Sequence, residues 1–175
     1  MYHSRKIVLV AGLGLAAAVV GIGVSQRGGT ASADAATTVQ LAALSPADII
    51  AERRKLMKGQ GAAAKAINDF LESGTGTAAD VAKAAASIKE SSTKIPDLFP
   101  AGTSMDDNVA ETHAKKEIWA NFDDFKAHAS KLGELAGALQ TAAEGGDKNM
   151  IQAAFATMGK EGCGGCHTLY RQKTQ

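Results

Sequence analysis

Five residues near the C-terminal end, Cys163-Gly164-Gly165-Cys166-His167, constrain this 175-residue chain more than any others. The pattern is C-x-x-C-H, the attachment signature of a c-type haem. Two thiols three residues apart on a helix lie on one face and reach the two vinyl groups on one porphyrin edge. The next residue then offers an imidazole to the iron. Gly164 and Gly165 add no bulk against the ring. Other uses of a C-x-x-C pair fit less well. A redox dithiol opens a helix within a βαβ pattern, and no such pattern is present. Structural zinc takes four ligands, but these are the only two cysteines, and the other histidines are not spaced to complete a cluster. One haem c per chain is expected, tethered through Cys163 and Cys166, with His167 as the proximal axial ligand.

The rest of the sequence has to build a fold around that group. Alanine is abundant, aromatic residues make up 5% and there are three prolines, which favours helix over sheet. The formal charge is +1, with basic and acidic residues interspersed and no basic stripe, so nucleic-acid binding has no support. With both cysteines claimed by the haem motif, no disulfide framework is available.

The first 33 residues read as an export signal. Arg5 and Lys6 form a charged start, Ile7 to Val24 is an uncharged apolar run, and Ala31-Ser32-Ala33 is a small-x-small cleavage site before Asp34. The alternative is an uncleaved membrane anchor, since 18 apolar residues can span a bilayer. Gly12, Gly14, Gly21 and Gly23 weaken the run as a packed span, and cleavage is favoured. Either topology carries the domain to the periplasm, with a membrane association only if the leader stays. Cleavage removes Arg5, Lys6 and Arg27, leaving 16 basic against 18 acidic residues, a charge of −2. Residues 34–44 are Ala/Thr-rich and read as a flexible lead-in, and residues 45–175 as the folded domain.

Four helices are expected in that domain. The first starts at the Ser45-Pro46 cap, carries Asp48 and Glu52 early, and stops at Gly74. Its seam, Ile50, Arg53, Met57, Gln60, Ala64, Ile67 and Leu71, alternates steps of three and four. Arg53 and Gln60 are out of place in an apolar seam. Either the helix turns to bury Ile49, Leu56 and Ala63, or the seam faces something polar; a haem propionate would suit Arg53, and a solvated, snorkelling arginine fits the spacing equally. The second helix runs from Thr77 to Ser91 with Val81, Ala84, Ala85 and Ile88 as a narrow face, suited to a close internal neighbour. Residues 92–115 form a long connection, broken by Pro96 and Pro100, in which Ile95, Leu98 and Phe99 are too apolar for a free loop. Met105 and His113 also lie there, and neither is taken as an iron ligand. The third helix opens at Ile118-Trp119 and follows Phe122, Phe125, Ala129, Leu132, Ala136 and Leu139 as a sustained seam, with His128 as a solvated edge residue. The fourth runs from Asp147 to Arg171 through Ile151, Phe155, Met158, Gly162, Cys166 and Tyr170, so the haem motif is itself helical. His167 and Arg171, four apart, would share a face, making Arg171 a candidate cation beside the proximal imidazole. The fold class is therefore all-α, an antiparallel four-helix bundle with covalently bound haem c.

A haem motif on the last helix, followed by Tyr170-Arg171, resembles the class II cytochromes c. The resemblance spans Ser45 to Lys173. It rests also on Arg53-Arg54-Lys55-Leu56-Met57, Ile95-Pro96-Asp97-Leu98-Phe99-Pro100 and Ile118-Trp119. It implies a four-helix bundle in which the residue opposite the proximal histidine decides behaviour. In cytochromes c′ the iron is five-coordinate and binds NO or CO at an open position. In the low-spin c-556 kind a methionine is the sixth ligand, and Met57 matches that position, with Arg53 as the propionate partner. His/Met ligation raises the reduction potential. The expectation is an electron-transfer protein, not an enzyme, because no distal acid–base pair is evident. Its partners would be other periplasmic redox proteins, and the Ala-rich second helix would permit a homodimer. The five-coordinate, gas-binding alternative stays open at this point.

Overall fold

A computed structural model describes residues 44–173 of the chain, so the expected export leader and residues 34–43 of the expected lead-in lie outside the described residues. Helix α1 spans Pro46–Ser73, and its ends are set by local chemistry. The Ser45 hydroxyl accepts from the Asp48 N–H at 3.2 Å, Pro46 occupies the first turn, and Gly74 closes the helix at φ 71° with its N–H on the Phe70 carbonyl. Helix α2 spans Ala78–Thr93 and begins with a reciprocal capping box: Asp80 N–H donates to the Thr77 hydroxyl, and Thr77 N–H to the Asp80 carboxylate.

The third helix of the sequence reading is two helices. α3 covers Glu117–Ala120 and α4 covers Phe122–Glu144, divided at Asn121 with φ −131° and ψ 45°. The Asn121 side-chain amide donates to the Glu117 carbonyl at 3.2 Å, the local competition with helical pairing that asparagine favours. Trp119 Nε1–H donates to the Phe99 carbonyl at 2.9 Å and ties α3 to the crossover.

The fourth helix also departs from a regular course. Asp147 caps α5, Lys148–Thr157; a π-helical segment follows over Met158–Gly164; and α6, Gly165–Tyr170, ends the domain. The apolar positions Met158, Gly162, Cys166 and Tyr170 advance in three consecutive steps of four, about four residues per turn where an α-helix has 3.6. A π segment keeps all four on one face. The haem motif is thus helical as expected, but it straddles the junction of the π segment and α6.

The four long runs, α1, α2, α4 and α5–α6, pack as the expected all-α bundle, with short turns at Gly74–Thr77 and Gly145–Asp147 and one long crossover between α2 and α3. Ile67, Val81, Ala85, Ile88, Phe125, Leu132, Ala136, Leu139, Ile151 and Met158 are buried in one core. The small face of α2 serves an internal neighbour, as read: it packs closely on α4, where a Cβ on Gly133 would stand 2.6 Å from the Ser92 hydroxyl. The crossover is anchored rather than free. Ile95, Leu98, Phe99, Thr103 and Ser104 are buried, and an antiparallel bridge joins Ala114 to Arg171. No helix among the described residues is long and apolar enough to cross a membrane.

Candidate functional site

The buried positions of α1 are Ile49, Ile50, Arg53 and Ile67, with a gap between the last two. Between Arg53 and Ile67 the inward positions Leu56, Met57, Gln60, Ala63 and Ala64 are only half-buried. In front of the upper part of this stretch lies a cavity of about 420 Å³, a size typical of cofactor clefts. Arg53, Met57 and Gln60 of α1 form one wall. Gly162, Cys163, Cys166 and His167 face it from the π segment and α6, with Tyr170 and Arg171 at their end. Ile95, Phe99, Ile118, Phe125, Ala129 and Leu132 also line it and are all buried and apolar. A flat apolar group with one polar edge, tethered through thiols beside an imidazole, fits this set of residues.

All five residues of the C-x-x-C-H segment are half-buried. Burial pushes the Cys163 thiol above its ordinary pKa. Burial, then Cys163 and Asp124, push Cys166 up to about 11. Neither thiol has the depressed pKa that a redox dithiol needs. Burial, then the charge of Arg171, pushes His167 below its ordinary pKa, which favours the neutral imidazole that binds metal. Among the described residues no three His, Cys, Asp or Glu side chains converge as a metal cluster, so a zinc module finds no ligand set here. Gly164 is tightly placed: a Cβ there would lie 3.1 Å from the Gly159 carbonyl. Gly162 is equally tight against Leu132, at 3.0 Å.

Arg53 is neither solvated nor snorkelling. It is 4% exposed, its guanidinium lies 4.4 Å over the Phe99 ring, and it donates to the Thr103 carbonyl at 2.9 Å, the Thr103 hydroxyl at 3.3 Å and the Thr112 hydroxyl at 2.8 Å. Burial pushes its pKa down to about 10, so it stays charged at neutral pH. Every partner is a neutral oxygen. A guanidinium has five N–H donors, and three are used, so Arg53 enters the cavity wall with both charge and donors in reserve. Gln60, the second polar residue of the seam, donates to the Ser91 hydroxyl at 2.9 Å and links α1 to α2. Arg171 is the C-cap of α6 (φ −113°, ψ 128°), and its N–H donates to the His167 carbonyl at 3.1 Å. It reaches the same cavity, because the bridge to Ala114 holds it there.

Two residues matter more than the sequence reading allowed. His128 is not a solvated edge residue. It lines the cavity, its ring stands 3.7 Å from where a Cβ on Gly165 would be, and it lies edge-on to Tyr170. Its positions relative to Phe125, Ala129 and Leu132 follow the i, i+3, i+4, i+7 pattern, so the signal was present in the spacing. Asp124, one turn earlier, accepts from the Tyr170 hydroxyl at 2.6 Å and joins α4 to the haem-motif helix. Trp119 and Phe122 do not line the cavity and act as packing residues; His113 lies at the cavity edge, and Met105 does not line it.

The family model for cytochrome c′ matches residues 48–171. The cytochrome c′ of Pararhodospirillum photometricum is 34% identical over 128 residues, 73% of this chain and 99% of that protein. The cytochrome c-556 of Agrobacterium tumefaciens strain B2A is 35% identical over 125 residues, 71% and 97% respectively. Among solved structures, cytochrome c′ from Thermochromatium tepidum superposes with a TM-score of 0.67 at 31% identity, covering 74% of this chain and 98% of that one.

Proposed function

This chain belongs to the cytochrome c′ family and carries one covalently attached haem c, and from that premise we propose that it is an exported electron-transfer protein with His167 and Met57 as the two axial ligands. The haem supplies a one-electron iron couple. The chain supplies the rest. Cys163 and Cys166 tether the group, His167 offers a neutral imidazole nitrogen, and Met57 offers a thioether sulfur from the facing helix. Phe99, Phe125 and Leu132 exclude water from the apolar part of the cavity, and Arg53 presents its unused donors to carboxylates at the polar edge. The observation that carries the reading is that Met57 and His167, 110 residues apart in sequence, line one cavity from opposing elements.

The absorption spectrum of the purified protein tests it. A low-spin ferric spectrum with a methionine–iron charge-transfer band is expected, and Met57→Ala removes the band. A high-spin spectrum in the untreated protein that binds NO or CO tightly would instead establish an open sixth position. That second reading has its own support, since relatives named cytochrome c′ and c-556 match at nearly the same identity. The periplasm is the proposed location, with cleavage before Asp34. N-terminal sequencing of the holoprotein from a periplasmic fraction checks it, and a retained Met1 in the membrane fraction would replace the signal with an anchor.

A further inference from the structure

The charge around the cavity is one-sided. The described residues contain 16 basic and 17 acidic side chains. Four of the basic ones, Arg53, Arg54, Lys58 and Arg171, line the cavity, and no carboxylate does. That leaves 12 basic against 17 acidic side chains for the rest of the domain, so a nearly neutral molecule is polarised, with its positive pole at the cavity mouth. Arg53 is buried and turned to the crossover, and Arg54 is offset by Glu111 at 3.0 Å. Lys58 and Arg171 are exposed and have no ion pair among the described residues. They come from the two elements that bear Met57 and His167. Against the four cations stand Glu111 and the two carboxylates a haem would bring, which leaves one positive charge in excess at the rim.

We infer that this rim is a docking surface for the acidic face of a redox partner protein, an inference that rests on the electron-transfer reading above. The chemistry is electrostatic steering: a patch of one sign orients an oppositely charged partner over the site where the electron crosses, even when the net charges do not attract. Here the net charge opposes it, because the cleaved holoprotein is negative overall. The local and the global field therefore predict opposite signs, and an experiment can separate them.

The test uses the reduced holoprotein in stopped flow against two oxidants, ferricyanide and tris(phenanthroline)cobalt(III). In each reaction one electron leaves the protein, giving ferrocyanide or the cobalt(II) complex. Ionic strength is varied between about 0.1 and 1 M, where the screening length falls from about 10 Å to about 3 Å and only nearby charges act. The ferricyanide rate is expected to fall about threefold or more with salt, and the cobalt rate to stay level or rise. Lys58→Glu should slow ferricyanide about threefold at the low end. Lys131→Glu, an equal change of net charge at an exposed α4 position away from the cavity wall, should change it less than twofold.

Equal effects of the two variants, or the same salt dependence for both oxidants, would overturn the inference. Co-sedimentation with phosphatidylglycerol vesicles that is lost in Lys58→Glu would also overturn it, by assigning the rim to a membrane surface. Slow exchange with both oxidants but opposite salt dependences would sink the electron-transfer reading and leave the rim in place. Fast exchange with no salt dependence would do the reverse.

Discussion

Replacing Arg53 by methionine separates the structural part of this residue from its charge. The structure sets the magnitude. Methionine removes three hydrogen bonds, but their partners are not equally affected. The Thr103 hydroxyl keeps its bond to the Pro100 carbonyl at 2.8 Å, and the Thr112 hydroxyl keeps the Ala114 N–H at 3.2 Å. The Thr103 carbonyl has no other partner among the described residues and belongs to a residue with 0% exposure. Leaving it unsatisfied costs about 1–3 kcal/mol, and hydrogen bonds from a charged donor contribute about 1.5–3 kcal/mol each. Burying the methionine side chain returns about 1.5–3 kcal/mol, since a guanidinium this deeply buried is replaced by apolar surface. The net expectation is a loss of about 2–5 kcal/mol. Guanidinium denaturation of the holoprotein, followed by the fluorescence of Trp119, the single tryptophan, measures it. The midpoint should fall with the slope unchanged. Arg53→Lys should lie between, because one ammonium cannot span Thr103 and Thr112 as a planar fork does. A loss below about 0.5 kcal/mol for Arg53→Met would refute the reasoning, showing that the crossover is held by its apolar residues alone.

Other expectations follow from particular contacts. Gly133→Ala places a methyl at 2.6 Å from the Ser92 hydroxyl and should destabilise by about 1–3 kcal/mol. In a Ser92→Ala background the next atom is 3.8 Å away, so the same change should be neutral or stabilise by up to about 1 kcal/mol through helix propensity, and thermal unfolding of the four proteins gives the coupling. Burial and then the hydrogen bond to Asp124 push the Tyr170 phenol up to about 12. In the chain cleaved before Asp34 it is the only tyrosine, so ultraviolet difference titration should show no phenolate near pH 10 and a single step near 12. A folded pKa above the unfolded value gives stability that is whole below about pH 10 and is lost as pH rises through about 12, and Tyr170→Phe should remove that alkaline loss. Thr77→Ala breaks the α2 capping box and should cost about 0.5–2 kcal/mol in the same unfolding assay.

The caps were legible because they are local: Ser45-Pro46, Thr77 with Asp80 and Gly74 all act within one turn of chain. The haem motif was legible because its chemistry demands a fixed spacing. Met57 came from a likeness, and the structure gives it a position across a cavity from His167. What spacing could not supply was the environment of Arg53, whose partners Thr103 and Thr112 lie 50 and 59 residues away. His128 was misjudged by a single step around α4: it stands three residues after Phe125 and one before Ala129, on the side of the seam that lines the cavity. The π segment left a trace, three steps of four in a row, that a seam counted only in threes and fours absorbs without notice.

That segment has a consequence for how the haem motif can be moved. A π turn holds one residue more than an α turn, so everything after it is rotated by about 100° from where a regular helix would point it. The aim of Cys166 and His167 thus depends on how many residues separate them from Ile151, while Gly162 and Gly164 among those residues keep the turn close-packed. Deleting a single residue between Met158 and Cys163 would keep the motif whole and turn it away from α1.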